Sequence, residues 1–247
     1  MSIGWPDLGG ALLWVTVGLV VIAGVIALLA WDARRRRSPH PILEVTGAVA
    51  RMWLAVTAIG VIVTVWKWLS GGDTWIPALP VSIAWPETLP CEQGIPAEAT
   101  KTSLVCAHVA TADATIAMLS VSTRVVLALG ELLGLVLAAT PAVVVVVVCA
   151  QALRGAPFGR TVSRWLIIAA VVVLVAGLGA ELVTSAGRAL AAAEVLPPVA
   201  SDAAVTTTGI FRLTVPLWPI GAACALGALG VVFRRGAVLQ RETEGLV

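Results

Sequence analysis

Five stretches of the chain run for about twenty residues with almost no charge, the length a helix needs to cross a hydrocarbon layer about 30 Å thick. They are Ala11 to Trp31, Val49 to Leu69, Val125 to Ala150, Trp165 to Val183 and Leu213 to Phe233. The third contains six consecutive valines, Val143 to Val148. β-Branched residues lower helix propensity in water, but in lipid the backbone must bond within its own segment, so this run is also expected to be a helix. Of the 247 residues 59% are hydrophobic and 12% charged, whereas an ordinary soluble domain carries roughly a quarter charged residues. So few charges could not solvate the surface of a soluble fold of this size. The expected fold class is an all-α integral membrane protein with five transmembrane helices. Residues 1–37 form an anchor helix and its basic stop, and residues 38–247 form a four-helix membrane domain. The lipid bilayer is the first partner this implies. Met1 to Gly10 has no basic region and a single charge, Asp7, so no cleavable signal peptide is expected.

Orientation follows from where Lys and Arg fall in the connections. With five spans and the N-terminus outside, the cytoplasmic side holds Arg34, Arg35, Arg36, Arg37, Arg51, Arg154, Arg160, Arg164, Arg234, Arg235 and Arg241, which is 11 of the 16 basic residues. The acids Asp7, Asp73, Glu87, Glu92, Glu98, Asp113, Glu194 and Asp202 then fall outside. The opposite orientation would translocate Arg34 to Arg37. The C-terminus is therefore expected in the cytoplasm, and CAQALRGAPFGRTVSRW, Cys149 to Trp165, becomes the short cytoplasmic connection between spans three and four.

Two outer loops remain, residues 70–124 and 186–212. The first contains WIPALPVSIAWPETLP, whose Pro, Trp and β-branched residues suggest one or two strands lying on the membrane face. Ala107 to Thr123 looks more helix-like and is expected to lead into span three. Cys91 and Cys106 both lie in this loop. An oxidising compartment and a short closed loop favour a disulfide between them, worth roughly 3 kcal/mol in the chain-entropy view. A metal site with His108 and a pair of free thiols are the alternatives. Cys149 and Cys224 lie within spans three and five, where a cysteine is ordinarily a small apolar residue.

Two carboxylates, Glu131 and Glu181, fall inside spans three and four, toward their outer ends. Each has an arginine seven residues away, Arg124 and Arg188, about two helical turns along the same face. Adjacent antiparallel helices would bring the two acids to similar depth. Intramembrane acids are expensive and point to a functional site. The sharp reading is a polar, proton- or cation-sensitive site facing outward, and the plainer one is two ion pairs snorkelling to the interface. Gly130 and Gly134 form a GxxxG, and Gly177, Gly179, Gly221, Gly227 and Gly230 line other spans, so close helix packing is expected and homo-oligomerisation is open. Trp5, Trp14, Trp31, Trp53, Trp66, Trp68, Trp165 and Trp218 cluster near span ends as an interfacial belt.

No phosphate loop, zinc-protease or serine-hydrolase motif occurs. The two histidines, His40 and His108, fall on opposite sides of the membrane, and the chain has no tyrosine. No catalytic residue, metal site or cofactor is expected, and the protein reads as not an enzyme. Arg34 to Arg37 could contact anionic lipid or serve only as a topology signal. Direct nucleic-acid binding is not expected.

LRGAPFGRTVSRW, Leu153 to Trp165, and the chain end VVFRRGAVLQRETEGLV carry a family resemblance. The first resembles the G-x-P-F segment and Arg-containing helix start of a bacterial membrane family, domain of unknown function 2975. The second is similar to that family's closing F-R-R-G and short acidic tail. The resemblance covers about residues 49–247 and implies four spans with both ends inside; the first span, Ala11 to Trp31, departs from it as an additional anchor. It implies the bacterial cytoplasmic membrane as location. Family members are often encoded beside a small helix-turn-helix regulator, so the resemblance implies a membrane sensor or anchor for a cytoplasmic transcription regulator. Arg154, Pro157, Phe158, Arg160, Arg164, Arg234 and Arg235 would face that partner. The competing expectations are a small transporter or channel with Glu131 and Glu181 along its path, and an accessory subunit of a larger membrane complex.

Overall fold

The computed structural model describes residues 41–83, 109–154, 159–198, 203–208, 213 and 215–244, with side chains as far as Ala237, and the single positions Thr16, Val20 and Gly24, all helical. Four long helices, α1 (Pro41–Ser70), α2 (Val121–Leu153), α3 (Arg160–Val195) and α4 (Trp218–Glu244), dominate it. Among the described residues there are also three strands, β1 (Thr74–Ile83), β2 (Thr111–Ile116) and β3 (Val205–Thr207). All four helices are long and apolar enough to cross a membrane, and the chain is a helical membrane protein. Span one lies outside the described residues except for the three helical positions above, and so do Arg34 to Arg37, Cys91, Cys106 and His108.

The helices outrun the apolar stretches that specify them. α3 has 36 residues, about 54 Å at 1.5 Å per residue against about 30 Å of hydrocarbon. Helix ends are set by local chemistry. α1 opens on Pro41, whose fixed φ suits a first helical position, and carries Glu44 in its first turn and Lys67 in its last, matching the macrodipole. It stops at Gly71, whose φ of +68° gives the left-handed C-terminal cap that only glycine adopts without strain. Ser120 caps α2: its Oγ accepts from the Thr123 amide at 3.3 Å, and its carbonyl accepts from the Arg124 amide at 3.1 Å. α4 begins at Trp218, five residues later than the apolar run: Pro216 precedes it, Pro219 sits in its first turn, where a missing amide costs nothing, and Ile220 and Gly221 donate back to the Leu217 carbonyl.

The all-α expectation is corrected by the sheet, in which β1 lies between β2 and β3 and both pairs are antiparallel. β1 falls in the Pro/Trp/β-branched segment expected to be extended. The helix-like expectation for Ala107 to Thr123 holds from Val121, where α2 begins, but not before it: Thr111–Ile116 is β2. Its small residues do not decide between helix and strand, and pairing with β1 does. Register passes Ile76↔Ala114 and then Leu79↔Ala112, so β1 carries one extra residue. The bulge places Ala78 at φ +56° and turns its amide to Asp113 Oδ1 at 3.0 Å. It also returns Leu79 to the face that Ile76 occupies. That face, with Val81 and Ile116, packs on Trp68, Leu119, Leu127, Ala191 and Ala192 from the adjoining ends of α1, α2 and α3.

The chain divides into two compact units. One comprises Met1–Ala58, Ala138–Val172 and Ala222–Val247, and the other Ile59–Leu137 and Val173–Gly221. The sheet belongs to the second, called here the sheet unit; the first is called the arginine unit. Within the sheet unit a Cβ added to Gly130 would meet Thr184, one on Gly187 would meet Leu127 and one on Gly179 would meet Leu133, so α2 and α3 pack antiparallel at close range. Gly60 meets Leu135 at 3.2 Å in the same way, joining α1 to α2. Gly134, Gly221 and Gly227 have no such neighbour, so only part of the glycine pattern marks packing. Within the arginine unit Ser163 Oγ donates to the Gly230 carbonyl at 2.8 Å, and Trp53 Nε1 donates to the Ala138 carbonyl at 2.9 Å. Trp53 is thus tied to the α2 backbone. Pro141, inside α2, lacks the amide of a regular helix position.

Candidate functional site

Glu131 sits on α2 in the sheet unit, half-buried. Its Oε1 accepts from Lys67 Nζ at 2.7 Å and its Oε2 from Trp68 Nε1 at 3.0 Å. Lys67 Nζ also lies 4.5 Å from the Trp68 ring centroid, a cation–π distance. One carboxylate therefore binds two adjacent residues of α1 through both oxygens. The expected partner, Arg124, does not pair with Glu131. It lies against Gly71, where an added Cβ would stand 2.7 Å from Nη1, so a guanidinium sits at the carbonyl-rich end of α1, which favours cations. The seven-residue spacing put Arg124 and Glu131 on one face, but α1 separates their roles: Lys67 reaches the acid first. A lysine immediately before a tryptophan in the last turn of an apolar run was the available signal.

Glu181 lies on α3 and is half-buried, as is Arg188. The α2–α3 pairings set Glu131 level with residue 183 and Glu181 level with residue 133, about 3 Å apart along the axis at 1.5 Å per residue. The two acids thus share a depth, as expected. Among the described residues no ion pair joins Glu181 to Arg188. No group of His, Cys, Asp or Glu able to hold a metal occurs among the described residues. Cys149 is buried, Cys224 is exposed, and both are free thiols.

A third carboxylate was not anticipated. Glu194, in the last turn of α3 beside the sheet and beyond the apolar stretch, accepts from the Ser120 amide at 3.1 Å and from the Ser120 and Thr123 hydroxyls. It closes the N-terminus of α2, where a negative charge is favoured. The Ser120 hydroxyl, then the Thr123 hydroxyl, and finally the Ser120 amide hold its carboxyl below the usual range against a small opposing effect of burial. A carboxyl lowered by folding contributes stability that is present above its unfolded value and is lost as pH falls through the folded one. Acidification below about pH 4.3 should therefore loosen the junction of α2 and α3. Amide hydrogen exchange over residues 119–125, taken as protection relative to the intrinsic rate at each pH, reads this out: wild type loses protection on acidification, and Glu194→Gln is less protected already at pH 7 with a flatter pH response. Identical profiles for the two proteins would refute the assignment.

A scan against protein-family models, a search of curated proteins and a search of solved structures each gave no match. The functional reading therefore rests on the chain's own geometry.

The arginine unit is the other candidate. Arg51 on α1, Arg154 just past α2, Arg160 and Arg164 on α3 and Arg234 and Arg235 on α4 are all exposed. Among the described residues none of them makes an ion pair. Glu44 is the one acid among the described side chains of this unit. The described acids Asp73, Asp113, Glu131, Glu181 and Glu194 all belong to the sheet unit. Pro157 and Phe158, expected to shape the connection between α2 and α3, lie outside the described residues.

Proposed function

We propose that this is a signalling or regulatory protein of the bacterial cytoplasmic membrane, with five spans, the N-terminus and the loop between spans two and three outside, and Arg154, Arg160, Arg164, Arg234, Arg235 and the C-terminus inside. The exposed, acid-poor arginine set Arg154, Arg160, Arg164, Arg234 and Arg235 carries the reading. Positive charge marks the cytoplasmic end, and guanidinium groups with no ion pair among the described residues are available to an acidic surface. The sheet, packed on the ends of α1, α2 and α3, is the part offered to an external signal. A helix-turn-helix regulator is the partner suggested by the family resemblance. The loop between spans two and three carries the proposed Cys91–Cys106 disulfide.

Cross-linking of the tagged protein in native membranes, followed by mass spectrometry, tests this. The expected result is a cytoplasmic regulator captured by wild type and reduced at least tenfold when Arg154, Arg160 and Arg164 are replaced by glutamine, with insertion unchanged. Capture that is indifferent to those arginines would overturn the inner-face contact. Labelling of single cysteines at residue 75 and residue 235 by an impermeant reagent fixes the orientation: residue 75 labels in intact cells and residue 235 does not.

The transport reading is weaker because both oxygens of Glu131 are occupied by α1. Unchanged proton and cation flux into vesicles with and without the protein is the expected outcome. The accessory-subunit reading predicts instead that other membrane subunits co-purify.

A further inference from the structure

We propose that the α3–α4 flank of the arginine unit is a binding site for the phosphate of an anionic phospholipid headgroup, held by Arg160, Arg164, Arg234 and Arg235. This goes beyond the partner contact and does not depend on it, since it needs only the protein and the bilayer.

The contact between the helices fixes the geometry. Ser163 Oγ bonds the Gly230 carbonyl, and a Cβ at Gly230 would meet Ile167 at 3.0 Å and Leu166 at 3.5 Å. Gly230 of α4 therefore lies level with residues 163–167 of α3. The chains run in opposite directions, so Arg234, four residues on, reaches the height of Arg160. At 3.6 residues per turn Arg160 is rotated about 60° from the α4-facing direction of α3, and Arg164 about 100°, in the same sense. On α4, Arg234 is rotated about 40° from the α3-facing direction and Arg235 about 140°. Because α4 runs antiparallel to α3, these rotations bring all four arginines to the same side of the seam.

That side faces lipid. Val162, Ser163, Leu166 and Ala169 of α3 are buried. Ile167, Ile168 and Val171 are exposed apolar residues that run directly into Arg164 and Arg160. On α4 exposed Val231 and Val232 lead in the same way to Arg235. A stripe of exposed aliphatics ending in guanidinium groups matches a lipid read from chain to headgroup. Arginine suits the phosphate because its planar donors bind two oxygens at once. Basic residues between transmembrane helices at this level take anionic headgroups.

The test uses the full chain in phosphatidylcholine vesicles with spin-labelled phosphatidylglycerol or spin-labelled phosphatidylcholine, read as the motionally restricted fraction by electron paramagnetic resonance. Wild type should prefer phosphatidylglycerol by about fivefold or more, with the preference shrinking in high salt. Arg160→Gln/Arg164→Gln and Arg234→Gln/Arg235→Gln should each remove most of it, and Arg188→Gln in the sheet unit should leave it intact. Using two separate double variants guards against one failing to fold. No preference in wild type, or a preference that survives both double variants, overturns the proposal. A lost preference alongside an intact cytoplasmic capture, or the reverse, separates this site from the partner contact.

Discussion

Gly130→Ala should destabilise the protein by about 1–3 kcal/mol, the cost of forcing a methyl into a packed seam, while Gly134→Ala should be neutral or mildly stabilising. Both glycines belong to one GxxxG motif, and sequence alone predicts similar losses. At Gly130 an added Cβ would meet Thr184 Oγ1 and stand 3.1 Å and 3.2 Å from the Thr184 amide nitrogen and Cα. The hydroxyl can rotate away, but the backbone cannot without moving α3. At Gly134 nothing lies within 4 Å, so the substitution only removes the helix penalty of glycine, roughly 1 kcal/mol in water. Reversible unfolding in mixed micelles measures both. Equal effects at the two positions would show that α2 and α3 do not meet at Gly130.

Glu131→Leu should cost roughly 1–3 kcal/mol, because it strands the Lys67 ammonium and the Trp68 indole N–H at the end of α1. Lys67→Met should cost less, since Trp68 still satisfies the other carboxylate oxygen. The Lys67/Glu131 double-mutant cycle should return a coupling near 1 kcal/mol, a size typical of polar contacts between membrane helices. Arg124→Gln should show no coupling to Glu131. A cycle that instead coupled Glu131 to Arg124 would restore the pairing expected from spacing.

Much of the fold was legible because apolar length is a local property. The segments Val49 to Leu69, Val125 to Ala150 and Trp165 to Val183 lie wholly within α1, α2 and α3, and most of Leu213 to Phe233 lies in α4. Hydrocarbon leaves a backbone no alternative to helix over such a run. The ends were less legible. α3 continues to Val195 because Ala191 and Ala192 find a sheet to pack against, and no apolar count anticipates that. β2 was misread for a related reason: TADATI has no strong preference of its own and becomes a strand because β1 pairs with it.

The candidate sites divide the same way. The gathering of arginines in some connections and acids in others followed from composition between spans, since charge is costly in the hydrocarbon. The partners did not follow. Arg124 and Glu131 share a helix face, but which group reaches a carboxylate depends on the neighbouring helix, and α1 brings Lys67 and Trp68. Glu194 and Ser120 are 74 residues apart and meet only because antiparallel α2 and α3 align their ends. Sequence by itself determined that this chain builds helices apolar enough for a membrane and which of their connections are basic. Tertiary structure decided which polar groups satisfy one another, because burial fixes what must be paired and only packing fixes with what.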